Sequence, residues 1–132
     1  MAHSGNDKKR DKKRYPFVVG VYHGFSKPSC PNDYLLDFVT ETSTLEAEGF
    51  LLNGMKCFVT ICGFCCDAPA RAFISQTKSH TAYYCCSKCE VKGSWRGRIV
   101  LLSVDAKKRD DSSFRQKLQQ EHHVGTSILE KL

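Results

Sequence analysis

Apolar and polar positions alternate in blocks along the chain, and each block predicts an element. Tyr15-Pro16-Phe17-Val18-Val19-Gly20-Val21-Tyr22 is β-branched and aromatic with little polar alternation, which predicts a strand buried on both faces. Gly24, Pro28 and Pro31 mark a loop. Leu35, Phe38, Val39, Thr42 and Leu45 then recur at helical spacing, with Asn32 or Asp33 as the predicted N-cap and Gly49 as the stop. Asn53-Gly54 is a turn signal, and residues 56–66, the most apolar stretch, predict a central strand.

Asp67-Ala68-Pro69-Ala70 opens a second helix, with Ala70, Phe73, Ile74 and Thr77 on one face and proline tolerated in the first turn. Residues 78–97 are polar and cysteine-rich, and Arg98 to Val104 returns as a third strand. Asp111, Ser112 or Ser113 is placed to cap a short helix through Phe114 and Leu118, followed by a loop from His122 to Ser127. Strands alternating with helices predict an α/β layer with at least one parallel pairing.

Charge changes this picture only at one end. Of the formal charge of +6, the first fourteen residues supply six basic side chains (Lys8, Lys9, Arg10, Lys12, Lys13, Arg14) against two acids, so the remaining body is almost neutral. Residues 1–14 therefore read as a solvated disordered tail, with a nuclear-import signal or a phosphate contact as the alternative reading. Residues 15–132 read as one domain, since 132 residues leave little room for two. No apolar run approaches the roughly 18 residues that span a bilayer, and no signal-peptide core follows the basic run. The chain is expected to be neither secreted nor membrane-bound, so its eight cysteines are expected to be packing residues or metal ligands rather than disulfides.

Two constellations carry possible chemistry. Asp67 stands where a strand gives way to a helix, the edge of an α/β sheet at which ligands collect, and a carboxylate there can hold Mg²⁺ or Mn²⁺. The competing reading is that Asp67 only caps the helix. One carboxylate does not make a two-metal site, and Asp105, Asp110 and Asp111 are the nearest spare acids. The second constellation is Cys86-Ser87-Lys88-Cys89, whose spacing lets two thiolates reach one tetrahedral zinc ion. Further ligands would come from His80, Cys85, Cys66, His122 or His123, and a structural zinc would stabilise a polar insertion with little apolar material. Ordinary thiols or a redox pair remain the alternatives. Trp95 beside Arg96 and Arg98 either stacks on a base next to phosphate or packs beneath the arginine stems.

Taken in order, Gly20-Val21-Tyr22-x-Gly24, Lys27-Pro28, the helix from Asn32, Cys66-Asp67-Ala68-Pro69-Ala70, Ser79-His80-Thr81, Cys86-x-x-Cys89 and His122-His123-x-Gly125-Thr126-Ser127 resemble transposase-domain proteins of animal genomes related to CACTA-type (En/Spm-like) DDE transposases. The resemblance runs from about Tyr15 to Leu132. It implies a partial ribonuclease-H-like sheet flanked by helices, with a zinc-knuckle-like insertion at about residues 78–97. It also implies a nuclear protein that handles DNA and forms a homo-oligomer when complete. Asp67 matches the second of three catalytic acids, Cys86 and Cys89 resemble the zinc ligands, and a downstream histidine would complete that site. The first acid is expected before Tyr15 and the third beyond Leu132, so strand cleavage by this chain alone is not expected. A zinc-stabilised nucleic-acid or protein binding module without catalysis is the alternative, and a poorly folding remnant the third reading.

Overall fold

The computed structural model describes residues 16–132, so the basic run of residues 1–14 lies outside the described residues. The longest element, α1, spans Pro31–Ala47. Its apolar face is the one the sequence predicts: Val39 and Thr42 are buried, and Leu35, Phe38 and Leu45 are half-buried beside them. Proline opens the helix where a missing N–H costs nothing. At the other end Gly49 takes φ +70° and donates its N–H to Leu45 O at 3.1 Å. A Cβ at Gly49 would run into Cys57 O, so the position needs glycine for space as well as for φ.

Asn53 and Gly54, at φ 51° and 78°, form the two-residue turn between β1 (Phe50–Leu52) and β2 (Met55–Cys57). Both positive φ values match the twist of an antiparallel hairpin. The helix α2 spans Ala68–Ile74. A second short hairpin pairs β3 (Ser94–Trp95) with β4 (Ile99–Val100). Next comes α3, Asp111–Arg115, opened by an Asp110–Ser113 capping box. Two 3-10 turns, Gln120–His122 and Ile128–Lys131, end the chain.

The chain therefore mixes helix with short strands, as an α/β reading requires, but its two ladders are both antiparallel hairpins. The expected parallel pairing is not among the described strands. Phe17 to Tyr22 carries no strand, and Phe17 and Val21 are 84% and 85% exposed. The expected central strand stops at Cys57, and 58–67 runs on without a ladder. A strand exists only if a neighbouring edge takes up its N–H and C=O groups, and no ladder or bridge joins either run to another described segment. Of the third expected strand only Ile99–Val100 is paired.

The small core lies between α1 and the C-terminal segment. Val39 and Ile128 are buried there, and the last 3-10 turn and α2 both pack on α1. Polar bonds stitch this junction. The side chain of Asn32, expected to cap α1, instead reaches across the molecule: Nδ2 donates to Thr126 O and Oδ1 accepts from Ile128 N, each at 2.9 Å. The N-cap position belongs to Cys30, which makes no side-chain capping bond. Ser127 Oγ donates to Ile74 O at 2.6 Å, Val124 N to Gln76 O at 2.8 Å and Lys78 N to His122 O at 2.7 Å. The end of α2 and residues 122–128 thus form one bonded unit.

Candidate functional site

Asp67 is the N-cap of α2, in extended conformation (φ −65°, ψ 169°), and its Oδ1 accepts the amide N–H of Ala70 at 2.7 Å. The carboxylate is exposed and borders a cleft of about 350 Å³ that Tyr22, Lys27, Tyr34 and Phe73 help to line. Asp67 is the only acid among the residues that line it. The residues before it form no strand, so Asp67 marks a helix start without the sheet edge that the sequence led one to expect. One oxygen is occupied by the cap, and the other is open to solvent or a cation. Asp105 and Asp111 are exposed, and Asp110 is committed to capping α3.

The cysteine-rich loop is built differently. All eight cysteines are free thiols, and Cys86 Sγ lies 3.3 Å from Cys89 Sγ. That is far beyond the bond of about 2.05 Å in a disulfide. It is within half an ångström of the separation, about 3.8 Å, of two thiolates sharing one tetrahedral zinc at about 2.3 Å each. A second backbone segment holds the loop in place: Glu90 N donates to Lys107 O and Arg109 N to Lys88 O, both at 2.9 Å, around a Cys89–Lys108 bridge. Arg109 adds a side-chain clamp, with Nε donating to Cys86 O at 3.0 Å and Nη2 to Gln119 Oε1. Gln119 Nε2 in turn donates to Glu90 O at 3.1 Å.

His122 returns to the chain just before this loop, at Tyr84. His122 is 2% exposed, and its Nδ1 donates to Tyr84 O at 2.6 Å. A neutral ring whose Nδ1 carries the proton has its lone pair on Nε2, the arrangement in which histidine binds metals. His123 packs edge-on to His122 and tilted against Phe114, with centroids 5.3 and 5.0 Å away, and both of its ring nitrogens are shielded without a hydrogen-bond partner.

Electrostatics ties the group together, because the charge of Arg109 acts on Cys86, Cys89, His122 and His123 alike. Burial opposes the Cys86 thiolate, but the Lys88 amide, the Cys89 thiol and Arg109 outweigh it and hold the thiol below its usual pKa. Burial pushes Cys85 up. It also pushes both histidines down, against the Tyr84 bond in the case of His122 and with the help of Lys117 and Arg109 in the case of His123. Neutral imidazoles and an acidified thiol are the protonation states a zinc ion takes up.

The protonation states at Cys86 and at the two histidines are thus ones that a zinc site would use. Among the described residues, however, no three His, Cys, Asp or Glu side chains gather as a complete ligand group. His80 stands apart, exposed, in a small pocket of about 50 Å³ with Arg71, Lys78, Cys85 and Ser87. Sequence reasoning missed Arg109 and Gln119, which lie in charged, polar surroundings with no motif to single them out. Among the described residues no helix is long and apolar enough to cross a membrane. Comparison with protein-family models, curated proteins and solved structures finds no match to this chain.

Proposed function

We propose that this chain is a segment of a DDE-type DNA transposase core, of ribonuclease-H-like ancestry, that does not cleave DNA by itself and whose cysteine-rich insertion is held by zinc. The observation that carries the reading is that His122 comes back to the chain just before the Cys86–Cys89 pair, where its Nδ1 donates to Tyr84 O, while the two sulfurs lie 3.3 Å apart. The ordered motifs make a downstream histidine the expected closure of a cysteine-pair insertion, and this packing supports it. Exposed apolar residues along Phe17 to Tyr22 and Leu101 to Val104 also support it, since both runs have strand composition and would be buried in a larger sheet.

In this reading Cys86 and Cys89 bind the zinc, buried His122 or half-buried His123 supplies further nitrogen, and Arg109 keeps the loop in shape through its bonds to Cys86 O and Lys88 O. Zinc contributes folding energy here rather than catalysis. A divalent Mg²⁺ or Mn²⁺ would be taken by the open oxygen of Asp67, where it would stabilise charge on a phosphate. Asp67 alone leaves that cation underligated, because a magnesium site for phosphoryl transfer draws on more than one carboxylate.

Two measurements test the proposal. The full chain, reconstituted with Co²⁺ as a zinc substitute, should develop the ultraviolet thiolate-to-metal absorption of two sulfurs, and Cys86→Ser and Cys89→Ser should each reduce it. A chain that takes up neither Co²⁺ nor Zn²⁺ would refute the zinc-held insertion. With Mg²⁺ or Mn²⁺, nicked or terminal-repeat DNA should remain uncut, and cleavage that Asp67→Asn abolishes would show that the chain is active by itself and refute that part of the proposal. A second reading, a zinc-stabilised binding module without catalytic ancestry, is favoured by the use of Asp67 as a helix cap. It predicts the same metal spectra, with DNA binding in the presence of Mg²⁺ or Mn²⁺ indifferent to Asp67→Asn, whereas a cation held at Asp67 beside phosphate would make that binding depend on the carboxylate.

A further inference from the structure

The β3–β4 hairpin holds the chain's single tryptophan. Trp95 pairs across the ladder with Ile99, and the loop between them is Arg96-Gly97-Arg98, with Gly97 at φ +71° and Arg96 N donating to Arg98 O at 2.8 Å. At its base the hairpin is fixed. Gly93 is buried, donates its N–H to Tyr83 O at 2.6 Å, and has Ile99 Cγ2 only 2.5 Å from where a Cβ would sit. The base is thus packed too closely for a side chain, and the tip projects from a held support.

At the tip the indole is 64% exposed. The aromatic and cation–π pairs among the described residues do not include it. Most of the indole is therefore left uncovered. Arg96 and Arg98 are exposed too, and the ion pairs among the described residues, Lys107–Glu90 and Arg115–Asp111, use neither. From Val91 to Val104 the chain carries Lys92, Arg96 and Arg98 and no acid. A large exposed aromatic face carries a cost in water that a ligand with its own flat face relieves, and the flanking guanidiniums require that ligand to be anionic.

We propose that this hairpin is a binding finger for single-stranded nucleic acid, in which Trp95 stacks on an unpaired base while Arg96 and Arg98 hold the adjoining phosphates. Stacking on an indole needs no base-specific hydrogen bond, so the finger should accept any sequence whose bases are free. A duplex hides its base faces and offers only phosphates. The finger requires neither Asp67 nor a catalytic metal, so it stands or falls independently of the transposase reading.

Because Trp95 is the only tryptophan, its fluorescence reports this site and no other. The full chain without added Mg²⁺ or Mn²⁺ is titrated with a short oligodeoxythymidylate, the same length of duplex, and polyglutamate as an anionic polymer without bases. The single strand should quench the emission saturably, and the other two should not. The Arg96→Gln, Arg98→Gln double variant should lower the slope of log affinity against log salt by about 1.4 for two lost phosphate contacts. Trp95→Ala, followed by anisotropy of a labelled strand, should bind about tenfold more weakly, with Trp95→Phe between it and the parent. Asp67→Asn should bind as the parent does. No quenching by the single strand, equal quenching by polyglutamate or duplex, or an unchanged salt slope in the double variant would each overturn the proposal. Contact through the basic N-terminal residues alone would give binding without quenching, and would also overturn it.

Discussion

Replacing Asn32 by alanine removes two hydrogen bonds that join the start of α1 to residues 126 and 128, more than ninety positions away. Each bond contributes about 1 kcal/mol net. The larger effect is what remains: Ile128 is 8% exposed, and its amide N–H would lose its acceptor in a site with little access to water. Leaving a buried donor unpaired costs about 1–3 kcal/mol, so Asn32→Ala should destabilise the chain by about 2–3 kcal/mol. Asn32→Asp separates this role from helix capping. Aspartate caps a helix as well as asparagine does, so a capping role would leave that variant near the parent. In the bond pair found here, the carboxylate keeps the Ile128 N–H but has no proton for Thr126 O, and it should lose about half as much as alanine. Urea unfolding midpoints at constant slope measure both variants, and amide exchange at Ile128 shows whether the junction opens. An alanine variant within 0.5 kcal/mol of the parent, roughly the scatter of ordinary surface substitutions, would refute the reasoning.

Two further outcomes follow from the geometry. Gly49→Ala forces a side chain into φ +70° and against Cys57 O, and should cost about 2 kcal/mol in thermal unfolding, well above a substitution at an open turn; an unchanged midpoint would contradict the close approach of α1 and β2. Asp110 accepts the Ser113 amide N–H at 2.7 Å, and this bond above all holds its carboxyl below the usual 3.8. Because the folded value lies below the unfolded one of about 3.9, the cap is fully stabilising above about pH 4 and is lost as pH falls through the depressed folded value. Acid titration of the Ser113 amide resonance should give a midpoint under 3.8, and Asp110→Asn should abolish that titration.

Local signals in the sequence settled the elements that depend on a few neighbouring residues. The period of Leu35, Phe38, Val39, Thr42 and Leu45 sets the buried face of α1, Gly49 sets its end, Asn53-Gly54 the first hairpin, and Asp67 the start of α2. In each case the determinant is a backbone preference or a capping bond made within one turn of chain. The cysteine spacing was equally local, and the structure sets the two sulfurs 3.3 Å apart.

Tertiary structure alone decided what depends on partners far along the chain. Apolar runs at 16–22 and 58–66 have strand composition, but a strand forms only against another edge, and composition does not state whether one is near. Asn32 reads as a cap from its neighbours and acts as a clamp because residues 126–128 arrive beside it. The same holds for Arg109, whose role exists only once its segment pairs with the cysteine loop, and for the 64% exposure of Trp95, which its own neighbours in sequence do not dictate. Spacing in sequence fixes which atoms can meet within a few residues, whereas distant meetings are selected by the packing of the whole chain.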